Sequence, residues 1–243
     1  MDNNFVSELV GTLILILLGD GVVAAVLLNH SKAQNGGWMV ICMGWGLAVA
    51  IAVYATAPFS GGHINPAVTI ALAVTSDFPW GDVPEYIAGQ FAGAFLGATL
   101  VYLAYLPHWE VTEDAGLKLA VFSTGPAIRR PAANVVTEVI GTAMLLAGVL
   151  ALGYTGGGAA TDAGTVGLTP LLVGLLVVGI GLSLGGPTGY AINPARDLGP
   201  RIAHAVLPIA GKGDSDWSYS WVPVAAPIAG GIAGAAIYVG LVP

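Results

Sequence analysis

Six stretches of this chain are apolar for long enough to cross a lipid bilayer and two are not, a mixture that restricts the fold more than any other feature. A hydrocarbon core about 30 Å thick takes about 20 helical residues to span. The long runs cover residues 5–28, 38–57, 86–106, 135–154, 167–184 and 221–242. The short ones, 66–75 and 194–207, would rise only about 15 and 21 Å as helices. Only 9% of the 243 residues are charged and 56% are hydrophobic, whereas about a quarter of a soluble domain is charged. So much apolar surface needs lipid as its solvent. The first run lacks a basic leader and is too long for the core of a cleavable signal, so it reads as a first span.

Both short runs begin with the same three residues. Asn65-Pro66-Ala67 follows Ser60-Gly61-Gly62-His63-Ile64, and Asn193-Pro194-Ala195 follows Gly185-Gly186-Pro187-Thr188-Gly189-Tyr190-Ala191-Ile192. Asparagine suits a helix cap, and proline suits the first helical position, where its missing N–H costs nothing. Each motif therefore starts a helix after an irregular segment, and each helix can reach from mid-membrane to one surface. Non-helical backbone at that depth is tolerated only inside protein or against a water-filled path. The two short runs thus imply a pore or cavity.

The halves repeat. Phe5-Val6-Ser7-Glu8-Leu9-Val10-Gly11-Thr12 parallels Val135-Val136-Thr137-Glu138-Val139-Ile140-Gly141-Thr142. Gly89, Gly93 and Gly97 recur at every fourth position of the third span, as do Gly230 and Gly234 on the sixth. Small residues at that spacing allow close helix crossings in membranes. Three spans per half force the second half to insert upside down, an inverted repeat whose functional site lies near the midplane. The expected architecture is an all-α membrane protein of six transmembrane helices plus two half-helices. It forms one channel domain, residues 1–243, made of inverted repeats of about 1–118 and 119–243. The connection across 107–133 reads as the longest loop.

The formal charge of −7 argues against a nucleic-acid partner. The single cysteine, Cys42, lies in an apolar run and reads as packing rather than redox chemistry. The histidines His30, His63, His108 and His204 are scattered, so no metal centre is expected and an enzyme is disfavoured. The loop cations Lys32, Lys118, Arg129, Arg130 and Lys212 all fall on one side, and the positive-inside rule would leave the N-terminus outside.

Six spans, an inverted repeat, a glutamate in the first span of each half and two Asn-Pro-Ala half-helices resemble the major intrinsic protein family, the aquaporins and glycerol facilitators. The run Asn193-Pro194-Ala195-Arg196-Asp197 is similar to the glycerol facilitators in particular. The resemblance covers essentially the whole chain. It implies a homotetramer with one pore per subunit in a bacterial plasma membrane, a cytoplasmic N-terminus, and passage of glycerol and water without a cofactor.

Opposed half-helices would bring two partial positive charges together at the midplane. Asn65 and Asn193 would offer side-chain donors there to a hydroxyl or water oxygen, repel cations and interrupt a proton-conducting chain. Arg196 is an intramembrane charge, functional by default. The resemblance makes it one wall of a selectivity filter with Trp45, Tyr190 and Gly181. Gly181 stands where water-selective relatives carry a histidine, and Tyr190 where glycerol facilitators usually carry phenylalanine. The competing reading of Trp45 and Tyr190 is an interfacial aromatic belt. The resemblance also makes Glu8 and Glu138 braces for the two irregular loops, turning the carbonyls of Gly61, Gly62, His63, Thr188, Gly189 and Tyr190 toward the path. His63 reads as a loop brace rather than a metal ligand. Asp197 either braces its loop or pairs with Arg201. Asp20 could face a subunit axis, a loop or solvent.

Two functions remain in play on the residues. One is a passive channel for glycerol, water and other small uncharged solutes, among them urea, dihydroxyacetone and undissociated lactic acid. The other is an ion-coupled secondary transporter, for which Glu8 and Glu138 are the candidate titratable groups.

Overall fold

In a computed structural model, which describes residues 4–76, 78–153 and 163–241, the chain is helical throughout and shows no strand among those residues. The helices are α1 (Asn4–Leu27), α2 (Trp38–Ser60), α3 (Pro66–Thr75), α4 (Val83–Ala104), α5 (Leu106–Val111), α6 (Ala115–Phe122), α7 (Pro131–Ala151), α8 (Ala163–Leu184), α9 (Pro194–Val206) and α10 (Val222–Leu241). Six of them, α1, α2, α4, α7, α8 and α10, are long and apolar enough to span a membrane. The expected spans match these helices to within a few residues. The ends placed at Tyr154 and Val242 lie outside the described residues.

Packing follows the repeat. Helix α1 lies along α4 and α7 along α10, while α2 crosses α8 between the halves. The half-helix α3 packs chiefly on α10, and α9 on α4, so each half-helix leans on a span of the other half. Glycine spacing explains the tight pairs. A Cβ at Gly89 or Gly97 would stand 2.5 or 2.7 Å from the carbonyl of Phe5 or Leu13, and one at Gly93 would strike that of Leu9. Gly230 and Gly234 approach the backbone of Val139 and Ala143 on α7 in the same way. With no side chain in between, the backbones touch, which is how helices associate where lipid removes the hydrophobic drive. Outward faces carry exposed apolar side chains such as Leu47, Ile51, Ile140, Leu175 and Ile237.

The connection between the halves departs from the expected loop, because it contains α5 and α6. Asp114 caps α6 by accepting from the N–H groups of Gly116 and Leu117 at 2.7 and 3.2 Å. Buried Trp109 and Phe122 stack at 5.5 Å, tying the two short helices together. Local capping and one aromatic contact thus order a stretch that hydropathy alone leaves blank. The end of α9 is secured by Lys212, whose Nζ donates to the carbonyls of His204, Ala205 and Leu207 at 2.6–2.7 Å. A cation at that end also complements the helix dipole.

Candidate functional site

The two short helices meet end to end through their capping asparagines. Asn65 Oδ1 accepts from the Ala67 N–H at 2.9 Å, and Asn193 Oδ1 accepts from those of Ala195 and Arg196 at 3.0 and 3.2 Å. Each side chain therefore has its oxygen turned to its own helix and its amide turned away. Asn65 Nδ2 donates to the Ile192 carbonyl at 2.9 Å, and Asn193 Nδ2 donates to the Ile64 carbonyl at 2.8 Å. One N–H of each amide is spent on this cross-bond, and one is left over.

The loops before the asparagines are wound alike. Ile64 and Ile192 both have φ of 44°, and Gly61 and Gly189 have φ of 81° and 82°. A β-branched residue in the left-handed region costs about 1–3 kcal/mol and persists only where its surroundings over-determine it. Here each isoleucine is held from both sides, its carbonyl by the opposite asparagine and its N–H by a glutamate. Glu8 Oε2 accepts from the Ile64 N–H at 2.7 Å and Oε1 from the His63 N–H at 2.9 Å. Ser60 Oγ and Gln90 Nε2 complete its shell at 2.6 and 2.7 Å. Glu138 accepts from the N–H groups of Ala191 and Ile192 at 3.0 and 2.9 Å. Both carboxylates are buried. His63 packs its ring against Phe78 and Tyr86, each 4.8 Å away, and its Nδ1 lies 3.1 Å from Thr69 Oγ1. No cluster able to hold a metal ion occurs among the described residues.

One cavity runs past these loops. Leu15, Val49, Val53, Val68, Leu145, Val149, Val173 and Val177 line it with hydrocarbon. Trp45, Val49 and Val53 follow one another at every fourth position of α2 and so form a single stripe. Against them stand Gly62, His63, Ile64 and Asn65 from one loop, Tyr190, Ala191, Ile192 and Asn193 from the other, and Arg196. Gly61, Thr188 and Gly189 are not among the lining residues. Gly61 ends α2, its N–H bonded to the Ala57 carbonyl, and Gly189 donates to the Gly185 carbonyl at 2.8 Å. These two N–H groups turn the chain into each loop.

Trp45 and Arg196 meet on the wall of this cavity, which Tyr190 also lines. The Arg196 guanidinium lies 3.9 Å from the Trp45 ring centre, a cation–π contact. Gly181 sits behind Tyr190 rather than on the wall: a Cβ there would meet Tyr190 Cζ at 2.8 Å and Cys42 Sγ at 2.9 Å. Trp38 holds the same corner, donating from Nε1 to the Gly181 carbonyl at 2.9 Å and meeting the Tyr190 ring edge-on at 5.7 Å. Asp197 is fully buried and does both things open to it. Its Oδ2 accepts from the Thr124 N–H and Oγ1 at 2.7 Å, and its Oδ1 lies 2.8 Å from Arg201 Nη2.

Asp20 faces none of the three surroundings expected for it. It is buried, and its Oδ1 lies 3.4 Å from Arg196 Nη1. The same nitrogen lies 3.4 Å from the Phe122 carbonyl. An acidic residue inside the first span was the available signal; its partner, far along the chain, was not. Gln90, a polar residue inside α4, is likewise a brace that composition alone flags without a role.

Residues 1–238 match the family model described as major intrinsic protein. The chain is 62% identical to a "Probable glycerol uptake facilitator protein" of Thermotoga maritima, over 96% of this chain and 97% of that protein. It is 57% identical to a glycerol uptake facilitator protein of Bacillus subtilis, over 96% of this chain and 83% of that one. The X-ray structure of the aquaglyceroporin from Plasmodium falciparum superposes with a TM-score of 0.83 at 31% identity, covering 99% of this chain and 96% of that one. Two capped half-helices meeting over a cavity, six spans around them and matches of this extent agree on one conclusion: the chain belongs to the major intrinsic protein family.

Proposed function

We propose that this multi-pass integral membrane protein is a passive channel for glycerol and other small uncharged solutes. Water also passes, and ions and protons are excluded. The observation that carries the reading is the two-sided cavity, hydrocarbon along one wall and loop backbone, two asparagines and one arginine along the other. A polyol presents carbon on one edge and hydroxyls on the other, and such a wall receives both. A hydrated ion would lose its shell against the hydrocarbon side and find no full set of replacements. The names of the relatives, glycerol uptake facilitators and an aquaglyceroporin, support the same substrate class.

An ion-coupled transporter would need a titratable group at the solute site. Glu8 and Glu138 do not line the cavity, and every one of their carboxylate oxygens accepts from a loop or neighbouring side chain. They are committed to bracing. In this reading Asn65 and Asn193 are the midpoint donors, Trp45, Tyr190 and Arg196 the selective wall, and Gly181 the seat that keeps Tyr190 back. The repeats of about 1–118 and 119–243, the homotetramer with one path per subunit, the bacterial plasma membrane and a cytoplasmic N-terminus belong to the same proposal. The loop charges that point the other way are partly engaged in the fold. Lys212 caps α9, Lys118 bonds to the Ala210 carbonyl and Arg129 pairs with Asp216, so their placement answers to loop architecture.

Stopped-flow measurements on proteoliposomes test the proposal by comparing osmotic water flow with entry of glycerol, urea and lactic acid. Glycerol entry well above protein-free vesicles, unsaturated and independent of any ion gradient, is the expected result. Entry that requires a sodium or proton gradient would replace the channel by a transporter.

A further inference from the structure

Arg196 is the only permanently charged side chain among the cavity's lining residues, and its charge is not free. Asp20, on α1, is wholly buried with Oδ1 3.4 Å from Arg196 Nη1, and its Oδ2 is buried with no hydrogen-bond partner. At 3.4 Å the contact is long for a hydrogen bond, so charge holds the pair more than a directed bond does. A buried carboxylate with an unbonded oxygen is costly unless an opposite charge stands beside it. The neighbouring residue serves the same corner: the Trp45 ring lies where a Cβ on Gly19 would be. Consecutive residues of α1 therefore seat both filter side chains, Gly19 by having no side chain and Asp20 by its charge. The adjacent Asp197 is in turn neutralised by Arg201 at 2.8 Å. Asp20 with Arg196 and Asp197 with Arg201 thus form two buried pairs, each of zero net charge.

We propose that Asp20 is a specificity-determining positioning residue, the buried counter-ion that makes the filter electrically neutral and holds the Arg196 guanidinium over Trp45. Arg196 then serves neutral solutes as a hydrogen-bond donor without attracting small anions, and the barrier to cations rests on the half-helix ends and on desolvation. The inference builds on the channel reading above.

Wild type, Asp20→Asn, Arg196→Met and the double variant are reconstituted in proteoliposomes. Glycerol entry is followed by stopped flow, nitrate and potassium permeation by reversal potential, and proton leak by an internal pH dye. Asp20→Asn keeps the shape and uncovers the arginine charge. Glycerol entry falls severalfold, and the ratio of nitrate to glycerol permeation rises by about tenfold or more. Arg196→Met leaves the carboxylate alone beside the path and admits protons and potassium. Adding Asp20→Asn to it removes the stranded acid and cuts that leak by about tenfold. A merely structural Asp20 would lower glycerol entry without moving either ratio. An unchanged nitrate-to-glycerol ratio in Asp20→Asn, or equal cation leak in Arg196→Met and the double variant, overturns the inference while leaving the channel standing. Absence of glycerol entry in the wild type overturns the channel reading and this inference with it.

Discussion

Asn65 and Asn193 each donate to the loop that carries the other, Asn65 to the Ile192 carbonyl at 2.9 Å and Asn193 to the Ile64 carbonyl at 2.8 Å. The two halves are thus stitched together where the half-helices meet, by the same side chains that cap them. The cross-bond takes one N–H of each amide and leaves the second over.

The two asparagines are not equivalent in load. Asn193 caps two N–H groups and Asn65 one. Replacing either by alanine removes a cap worth about 0.5–2 kcal/mol and strands an isoleucine carbonyl at a cost of about 1–3 kcal/mol. Asn193→Ala is expected to lower the thermal midpoint of the detergent-solubilised protein further than Asn65→Ala, and both to reduce glycerol entry. Equal midpoints in the two variants would show that the extra cap bond carries no weight.

Glu138 is the clearer of the two braces to test, because each of its oxygens accepts from a loop backbone N–H, Ala191 on one and Ile192 on the other. In Glu138→Gln one acceptor becomes a donor facing the N–H of Ala191 or Ile192. Charge-assisted bonds of this kind contribute about 1.5–3 kcal/mol each, so the strained Ile192 loses half its anchor. A correctly inserted, folded protein with glycerol entry reduced about tenfold is expected. Permeability unchanged for every solute would remove Glu138 from the pore wall's support.

Gly181 offers a test of the filter. Its missing side chain makes room for the Tyr190 ring, since a Cβ would stand 2.8 Å from Cζ and 3.0 Å from the hydroxyl. Real Cβ contacts are longer, so either Tyr190 moves toward the cavity or the helices part. Gly181→His is expected to narrow the path to about one water diameter, roughly 2.8 Å, nearly abolishing glycerol entry while water flow stays measurable. Gly181→Ala should shift the ratio the same way and by less. An original glycerol-to-water ratio in both variants would place the constriction elsewhere than at Trp45, Tyr190 and Arg196.

The sequence by itself determined the elements and their plan. Hydropathy sets the six spans, because a run of about 20 apolar residues has few other places to go. Asn-Pro-Ala sets the start of α3 at Pro66 and of α9 at Pro194, because capping is decided by adjacent residues. The doubled glutamates and the glycine rows point to an inverted repeat for the same reason, being local patterns that occur twice. What only the tertiary structure decided is which side chains share a space. Asp20 and Arg196 stand 176 positions apart, and nothing near either residue names the other. Their meeting depends on how α1 is rotated against α9. The seat of Tyr190 at Gly181, the cross-bonds of Asn65 and Asn193, and the placing of Ile64, Ala191 and Ile192 along the cavity depend on packing in the same way. Composition along a chain specifies what each segment must bury; contact between distant segments is settled only when their backbones come within touching distance, here where glycines let them.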